Sequence, residues 1–272
     1  MCVRSVYDST EKTVVATVEI KRYYLLGVPL DNLSLAQTLE AVDEMVRSGG
    51  KGYVVTPNVD HIIQVVKNPF LAQIYENAVL SLADGMPVLW AIRFLRKKFG
   101  EKVSGSDLMP GICRLSALRG YRVFLMGGRK GIADRAARGL QNRFPTLTIS
   151  DTYSPSFEFE HNQIESERMV NRVNASNSHI LLMCCGTPKS ELWILNNIAK
   201  LGINVAFSLG ASIDLAAGQF RRAPRFLQYM GLEWFWRLYH EPRRLWRRYL
   251  VEDVPFFWFV LKKKMTQLRG IQ

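Results

Sequence analysis

Short runs of apolar, often β-branched residues alternate with longer segments in which apolar residues recur every three or four positions. The short runs predict strands, and the longer segments predict amphipathic helices. Strands are predicted at residues 52–56, 78–83, 121–127, 147–150, 179–185 and 204–210, and helices at 34–48, 105–119, 130–144, 162–176 and 188–201. The alternation indicates an α/β fold, with a Rossmann-like, mostly parallel sheet that carries helices on both faces.

Five of the predicted strands end in loops that offer glycine, hydroxyl, amide or charged groups. Their sequences are TPNVDH, DGMP, GGRKG, GTPKSE and GASID. Open parallel sheets bind their ligands beyond the carboxyl ends of the strands. We therefore expect a functional site along this edge of the sheet.

Two of these loops are candidates for holding phosphate. Gly127, Gly128 and Arg129 follow one strand, and 186–189 follow another, so that backbone N–H groups and a helix N-terminus can face an anion. The first loop is neither a GxGxxG nor a P-loop sequence, and a plain tight turn remains its alternative interpretation. Two such loops in one sheet favour a diphosphate ligand.

Asp84 stands between two apolar runs, in the sequence SLADGMPVLW. A carboxylate at a strand end can take a proton from a hydroxyl nucleophile if a partly dry pocket raises its pKa. Taken alone, an Asp-Gly pair here is more often a turn or a helix N-cap. A histidine on an apolar helix face, such as His61, is more often packed in the core than catalytic. Asp60 is expected at the start of a helix.

The histidines and cysteines form no metal or disulfide pattern. The four histidines are scattered, without HxxxH or HExxH, so a zinc site is not expected. The four cysteines lack CxxC spacing, which favours a reducing compartment, and Cys184 and Cys185 are expected to be buried small apolar residues. The first twenty residues show no signal peptide pattern, and no apolar run reaches the roughly 18 residues of a spanning helix.

The chain is basic, and most of its excess charge lies near its end. The net charge is +12, and the segment 220–272 has twelve Lys and Arg against four acids and holds four of the six tryptophans. Arginines beside aromatic rings are typical of a helix on an anionic bilayer, where each cation contributes about 1 kcal/mol. The alternative is a solvated basic face whose aromatic side chains pack onto the main domain.

The predicted organisation is an N-terminal extension (1–22), an α/β catalytic domain (23–219) and a basic, helical, membrane-associating appendage (220–272).

Seven segments together resemble the WecG/TagA/CpsF family of bacterial sugar-nucleotide glycosyltransferases. They read TPNVDHI, ADGMPV, EKVSGSDL, VFLMGGRKG, GTPKSE, GASIDLAAGQFRRAP and GLEWFWRLYHEPRRLWRRYL, in the family's order over roughly residues 24 to 250. The resemblance implies an inverting, metal-independent transfer of a sugar from a UDP-sugar to a polyprenyl-diphosphate-linked sugar. It places the enzyme peripherally on the inner face of the cytoplasmic membrane, with no cofactor, no metal and no nucleic-acid partner, and leaves the oligomeric state open.

The resemblance also assigns residues. It implies Asp84 as general base, supported by Thr56 and Asn58. The implied UDP-sugar site comprises Gly127, Gly128, Arg129, Gly186, Thr187, Pro188, Lys189, Gly210, Asp214 and Lys102. The implied acceptor diphosphate and membrane contacts are Arg221, Arg222, Arg225, Arg237, Arg243, Arg244, Arg247 and Arg248.

The sequence departs from the family pattern in three places. Ser190 stands where glutamine is usual, Lys102 stands where arginine is common and loses its bidentate fork, and Ala211 and Ser212 replace a more usual glycine loop. These changes leave the donor sugar open among glucose, N-acetylmannosamine and its uronic acid. Two other classes of protein are disfavoured: a dehydrogenase, because GxGxxG is missing, and a non-catalytic nucleic-acid-binding module, because its signature motifs are missing.

Overall fold

The computed structural model describes residues 20–95, 97–219 and 222–269. Their centre is a six-stranded sheet in the order β4-β3-β8-β7-β5-β6, in which every neighbouring pair is parallel. Its strands are β3 (Gly52–Val55), β4 (Leu80–Ser81), β5 (Arg122–Gly127), β6 (Thr148–Tyr153), β7 (Ile180–Cys184) and β8 (Val205–Ser208). The predicted α/β class and all six predicted strands are confirmed, with ends that differ by up to three residues.

Helices cover both faces of the sheet. The helices between strands are α1 (Leu35–Arg47), α2 (Val59–Lys67), α3 (Ala72–Glu76), α4 (Met86–Phe94), α5 (Gly105–Arg119), α6 (Ile132–Arg143), α7 (Gln163–Ala175) and α8 (Lys189–Asn197). After β8 come α9 (Ser212–Ala216), α10 (Arg225–Tyr229), α11 (Glu233–His240), α12 (Pro242–Arg247) and α13 (Val254–Arg269). A π-helical turn, Arg248–Glu252, links α12 to α13.

Alternate residues of the buried strands point into two separate cores. In β5, Phe124 and Met126 belong to the core under α2 and α8, whereas Val123 and Leu125 belong to the core under α5 and α6. Successive side chains of a strand leave opposite faces of the sheet, so a strand covered on both faces is apolar throughout. This explains why these strands read as continuous apolar runs in the sequence.

An N-terminal hairpin was not predicted. Strands β1 (Arg22–Leu25) and β2 (Val28–Asp31) pair antiparallel around a turn in which Leu26 and Gly27 have φ of 50° and 86°. Asp31 fixes the hairpin to the sheet, because its carboxylate accepts hydrogen bonds from Arg22 Nε at 2.7 Å and from the Ser81 backbone N–H at 2.8 Å. The ion pair lies within the hairpin, and the hydrogen bond from Ser81 joins the hairpin to the edge strand β4.

The C-terminal helices cover the carboxyl edge of the sheet and also contribute to its core. Phe256 and Val260 of α13 are buried in the same core as α2, and Leu245 of α12 is buried as well. The predicted division at residue 220 stays a prediction, but α13 cannot be removed without opening this core. Within the described ranges, no helix has the length and apolarity needed to cross a membrane.

Candidate active site

A cavity of about 650 Å³ lies between the carboxyl ends of four adjacent strands and the C-terminal helices. The loops after β4, β3, β8 and β7 form its floor, and residues of α10, α11, the π-helical turn and α13 form its roof. Parallel strands end at the same edge of a sheet, which is why loops far apart in sequence meet here. The predicted edge of the sheet therefore carries a large cavity.

Asp84 lies on the cavity floor, directly after β4. Its backbone N–H donates to Pro57 O at 3.0 Å, which holds the end of β4 beside the end of β3. The N-cap of α4 is Gly85, with φ of 94°, and no side chain caps this helix. The interpretation of Asp84 as an N-cap is therefore wrong: its carboxylate is left to face the cavity.

The electrostatic setting of Asp84 suits a base. Burial raises the pKa of this carboxyl to about 6, while the nearby Lys102 ammonium partly opposes the rise. The side chain makes no hydrogen bond to the rest of the described chain. A carboxylate of this kind is ionised at neutral pH and still basic enough to accept a proton from a hydroxyl group.

Two cations and two acids form a network at one side of the cavity. Lys102 Nζ lies 3.2 Å from Asp107 Oδ2 and 3.7 Å from Glu233 Oε2. Arg222 pairs with the same two acids: it contacts Asp107 directly, and its Nε lies 3.4 Å from Glu233 Oε1. Because Glu233 belongs to α11, the network connects the roof of the cavity to its floor.

Thr56 and Asn58, at the end of β3, also reach the cavity. Thr56 is buried, and its hydroxyl lies 3.4 Å from the Ser208 carbonyl of β8. Asn58 caps α2, with its side-chain oxygen accepting from His61 N–H at 3.4 Å and from Arg248 Nη2 at 3.2 Å. The Asn58 side chain thus caps α2 and also binds Arg248 of the π-helical turn.

The loop after β7 rests on a buried polar network that sequence reasoning missed. Thr187 Oγ1 donates to Glu191 Oε1 at 2.9 Å and lies 2.7 Å from His61 Nε2. Ser208 Oγ donates to the same carboxylate oxygen at 3.0 Å. Burial lowers the pKa of His61 and raises that of Glu191. His61 is thus both packed and hydrogen-bonded to a residue that lines the cavity, as its place in the first turn of the helix after β3 could have suggested.

Ser190 supports the same loop from inside. The side chain is fully buried, and its hydroxyl accepts the Cys185 backbone N–H at 3.0 Å. The departure from the family pattern therefore gives position 190 a structural contact, not one with the cavity.

The predicted UDP-sugar residues fall into two groups. One group lines the cavity and comprises Lys102, Gly186, Thr187, Gly210 and Asp214. The other group is absent from the lining and comprises Gly127, Gly128, Arg129, Pro188 and Lys189. Lys189 forms an ion pair with Glu160 and lies 4.2 Å from the centre of the Phe157 ring, which directs its charge away from the cavity.

The predicted arginines are also divided. Arg222, Arg237 and Arg248 line the cavity. Arg243 and Arg247 are exposed, and Arg247 Nε lies 3.1 Å from Glu252. Arg221 lies outside the described residues, and so do the side chains of Arg225 and Arg244.

Aromatic side chains complete the roof, and the sequence did not indicate which ones. Trp234, Trp236, Tyr249 and Phe257 line the cavity. Trp234 and Tyr249 meet edge to face, with ring centres 6.2 Å apart. A floor of polar loops under a roof of arginines and aromatic rings can take a ligand that carries both anionic and apolar parts.

Two of the cysteines, Cys184 and Cys185, border the cavity. Cys113 and Cys184 are buried, Cys185 is half-buried, and burial raises the pKa of all three thiols, whereas Cys2 lies outside the described residues. In the part of the chain that the structure describes, no three His, Cys, Asp or Glu side chains are grouped so as to hold a metal ion.

A parallel sheet with a half-buried carboxylate and several cations at its carboxyl edge has the architecture of an α/β enzyme. The sequence model of the glycosyl transferase WecG/TagA/CpsF family matches residues 23–270. The chain belongs to this family, and the protein is a glycosyltransferase. The resemblance noted in the sequence is thereby confirmed, and the dehydrogenase and non-catalytic alternatives are set aside.

Individual relatives match over nearly the whole chain. Proteins of Staphylococcus aureus strains MW2 and NCTC 8325 / PS 47 are each 24% identical over 263 residues, covering 95% of this chain and 97% of their own length. Each of them is named N-acetylglucosaminyldiphosphoundecaprenol N-acetyl-beta-D-mannosaminyltransferase. The similarity therefore includes the C-terminal helices as well as the sheet.

Proposed function

We propose that this glycosyltransferase moves a sugar from a UDP-sugar to a sugar linked to a polyprenyl diphosphate, with inversion and without a metal ion. The observation that carries the proposal is the half-buried Asp84 carboxylate, whose pKa burial raises to about 6, on the floor of a cation-lined cavity. The acceptors named for the Staphylococcus aureus relatives, N-acetylglucosaminyldiphosphoundecaprenols, belong to the same chemical class.

The proposed reaction is a single displacement. The acceptor hydroxyl attacks the anomeric carbon of the donor as its proton passes to Asp84, and the bond from that carbon to the UDP oxygen breaks. UDP leaves as an anion, and one glycosidic bond has replaced one glycosyl phosphate bond. Attack opposite the leaving group inverts the configuration at the anomeric carbon.

The departing diphosphate needs its charge balanced. Lys102, Arg222, Arg237 and Arg248 reach the cavity from both floor and roof. Preorganised cations and backbone N–H groups stabilise the charge that develops on a leaving group, which is the role a metal ion would otherwise fill. The loops at Gly186 and Gly210 are the proposed nucleotide contacts.

The C-terminal helices are the proposed membrane contact. They carry most of the exposed large apolar side chains of the described residues, among them Trp246 and Trp258, with exposed fractions of 51% and 61%. Aromatic rings beside arginines lie at headgroup depth in bilayers. These exposed rings support the proposal that the enzyme is attached peripherally to the inner face of the cytoplasmic membrane, where a polyprenyl-diphosphate acceptor would be within reach.

The decisive experiment is a panel of radiolabelled UDP-sugars with a short-chain polyprenyl-diphosphate-linked N-acetylglucosamine acceptor, run with and without EDTA. We expect one donor to be transferred, an inverted product by NMR, and a rate that EDTA does not change. Retention of configuration, or loss of activity in EDTA that Mg²⁺ restores, contradicts the proposed mechanism. Transfer only to acceptors without diphosphate contradicts the proposed substrate.

Membrane attachment requires point variants, because deletion of α13 would remove Phe256 and Val260 from the core. We expect the double variant Trp246→Ser, Trp258→Ser to lose most of its binding to anionic vesicles in a flotation assay. The control is Trp193→Phe, which alters a buried tryptophan. Unchanged flotation of the double variant contradicts the attachment of this surface.

A further inference from the structure

A second cavity, of about 260 Å³, lies away from the catalytic carboxylate. The N-terminal hairpin, the end of α4 and the inner side of α13 enclose it. Its polar lining includes Arg22, Lys97, Lys263 and Gln267, and Leu25 and Ile92 are among its apolar lining residues. Three cationic side chains thus meet in a small, partly apolar space.

Asp31 balances the charge of Arg22 from outside the cavity, but Lys97 and Lys263 have no acidic partner among the lining residues that the structure describes. None of the described residues that line it is acidic. Asp31 binds only Nε and Nη2 of Arg22, and the Nη1 atom of the same guanidinium is buried without a hydrogen-bond partner. Burial, and after it the neighbouring Lys97 charge, lowers the pKa of Lys263. A buried donor without a partner and two lysines close together are both unfavourable, and an anion would relieve both.

Exposed apolar side chains lie beside residues that line the cavity, in a region called the rim below. Tyr24 and Phe94 are exposed by 52% and 50%, and Lys264 Nζ lies 5.6 Å from the centre of the Phe94 ring. Leu261 and Leu268 lie about one helical turn before and after Lys264, and both are exposed. The anion that fits here is therefore attached to an apolar group that can cover this rim.

We propose that this cavity binds the phosphate group of an anionic membrane lipid. The lipid phosphate would lie between Lys97, Lys263 and Arg22 Nη1, and its glycerol and acyl groups would lie on Tyr24, Phe94 and Leu261. The lipid is bound as a ligand and is not transformed. The inference rests on the membrane attachment in the proposed function, and it adds a specific lipid site to a surface that would otherwise attract anionic membranes only by its overall charge.

The test compares two double variants of equal charge. Lys97→Gln with Lys263→Gln removes two lining cations, and Lys98→Gln with Lys262→Gln removes two exposed neighbours that do not line the cavity. Binding is measured to phosphatidylcholine vesicles with and without phosphatidylglycerol. Since both variants lose the same long-range attraction, we expect the lining pair to lose at least about tenfold more affinity for phosphatidylglycerol vesicles than the control pair.

A soluble probe tests the site without a membrane. Dihexanoyl-phosphatidylglycerol below its micelle concentration is titrated by NMR, beside inorganic phosphate at the same concentration. We expect saturable binding of the lipid to the wild type and to the control pair, and none to the lining pair. Transfer to a water-soluble acceptor and the thermal midpoint are expected to match among all three proteins, which shows that the lining pair is folded.

Each failure has a distinct meaning. Equal loss of vesicle binding by the two double variants overturns the lipid site and leaves the membrane attachment standing. Phosphate that binds as tightly as the lipid overturns the lipid assignment in favour of a general anion site. A wild type that ignores anionic vesicles contradicts the attachment in the proposed function, and loss of the soluble lipid by the lining pair would then still support the cavity.

Discussion

The loop after β5 and the loop after β7 lie at neighbouring strand ends, and only the second borders the large cavity. Both begin with glycine in a left-handed or related conformation, Gly127 with φ of 131° and Gly186 with φ of 88°. A Cβ atom on Gly127 would lie 2.4 Å from the Cys184 carbonyl oxygen, whereas nothing lies within 4 Å of one on Gly186. The first glycine allows close packing of two strand ends, and the second leaves open space.

Helix α9 accounts for the difference. It packs on α6, and Ile213 lies 3.5 Å from the position of a Cβ atom on Gly128, so apolar contacts occupy the space over the end of β5. The C-terminal helices instead stand off from the ends of β3, β4, β7 and β8 and leave the cavity beneath them. The two glycine-containing loops therefore have different surroundings. Helix α9 packs directly on the β5 loop, whereas the C-terminal helices leave a cavity above the β7 loop.

The largest effect is expected from a comparison of two carboxylates, Asp84 at the cavity and Asp134 beside the β5 loop. Asp84→Asn is expected to lower turnover by a factor on the order of 10² or more, because the amide cannot accept the acceptor's proton. UDP binding by calorimetry should be retained. The matched control, Asp134→Asn, alters an acid beside the β5 loop and is expected to keep near-normal turnover. Near-normal turnover of Asp84→Asn would contradict its role as the base.

The second effect concerns the polar support of the β7 loop. Glu191→Ala is expected to lower the free energy of unfolding by about 2–3 kcal/mol and turnover by about tenfold, because the half-buried Thr187 hydroxyl and the buried Ser208 hydroxyl lose their acceptor. Glu191→Gln keeps an acceptor oxygen and should recover most of both losses. Urea denaturation and steady-state kinetics measure these changes. A stable, fully active Glu191→Ala protein would show that the network does not position the loop.

Packing at the β5 loop should affect stability alone. Gly127→Ala is expected to cost roughly 1–3 kcal/mol of unfolding free energy, because the added methyl group meets the Cys184 backbone. Kinetics at a temperature where the variant is fully folded should match the wild type. A turnover defect in the folded variant would place this loop in the active site and remove the contrast with Gly186.

The pH dependence of kcat/KM tests whether the charges around Asp84 set its pKa. Because burial raises the pKa of Asp84 to about 6, kcat/KM is expected to fall as pH decreases through 6 and the base becomes protonated. Glu233→Gln removes a negative charge that raises this pKa and should move the acidic limb to lower pH. Lys102→Gln removes a positive charge and should move it to higher pH. Shifts of the same sign in both variants would contradict assignment of this limb to Asp84.

The smallest effect is expected at Arg129. This residue is exposed and absent from the cavity lining, so Arg129→Gln should change the affinity for UDP by no more than about twofold. Arg248→Gln, which alters a lining arginine, is the comparison. Calorimetry with UDP measures both. Equal losses in the two variants would restore the β5 loop to the nucleotide site.

Local patterns predicted most of the sheet because its strands are buried on both faces. The apolar runs around Phe124 and Leu182 are typical of strands buried on both faces. The hairpin was missed because its strands have four residues each, one of which is Pro29, and because all of β2 is buried without polar alternation. A short strand paired only locally leaves little periodic signal.

The sequence predicted that the candidate site lies at the carboxyl edge of the sheet, but not which residues contact one another there. Asp84, Thr56 and Thr187 were found because each follows a strand, and strand ends meet by rule. The roles of Glu233 and Trp234 were not found, because they depend on how α11 folds back over the sheet. Contacts between elements far apart in sequence have no local signature.

The sequence by itself determined the fold class, the family, the basic end of the chain and the edge where chemistry is placed, because periodicity, charge and short motifs are local properties. Only the tertiary structure decided that the β7 loop opens to a cavity while the β5 loop is packed, that Asp84 caps no helix, and that Lys97 and Lys263 meet beside Arg22. These outcomes depend on which surfaces one helix covers and another leaves open, and that is fixed by packing over the whole chain.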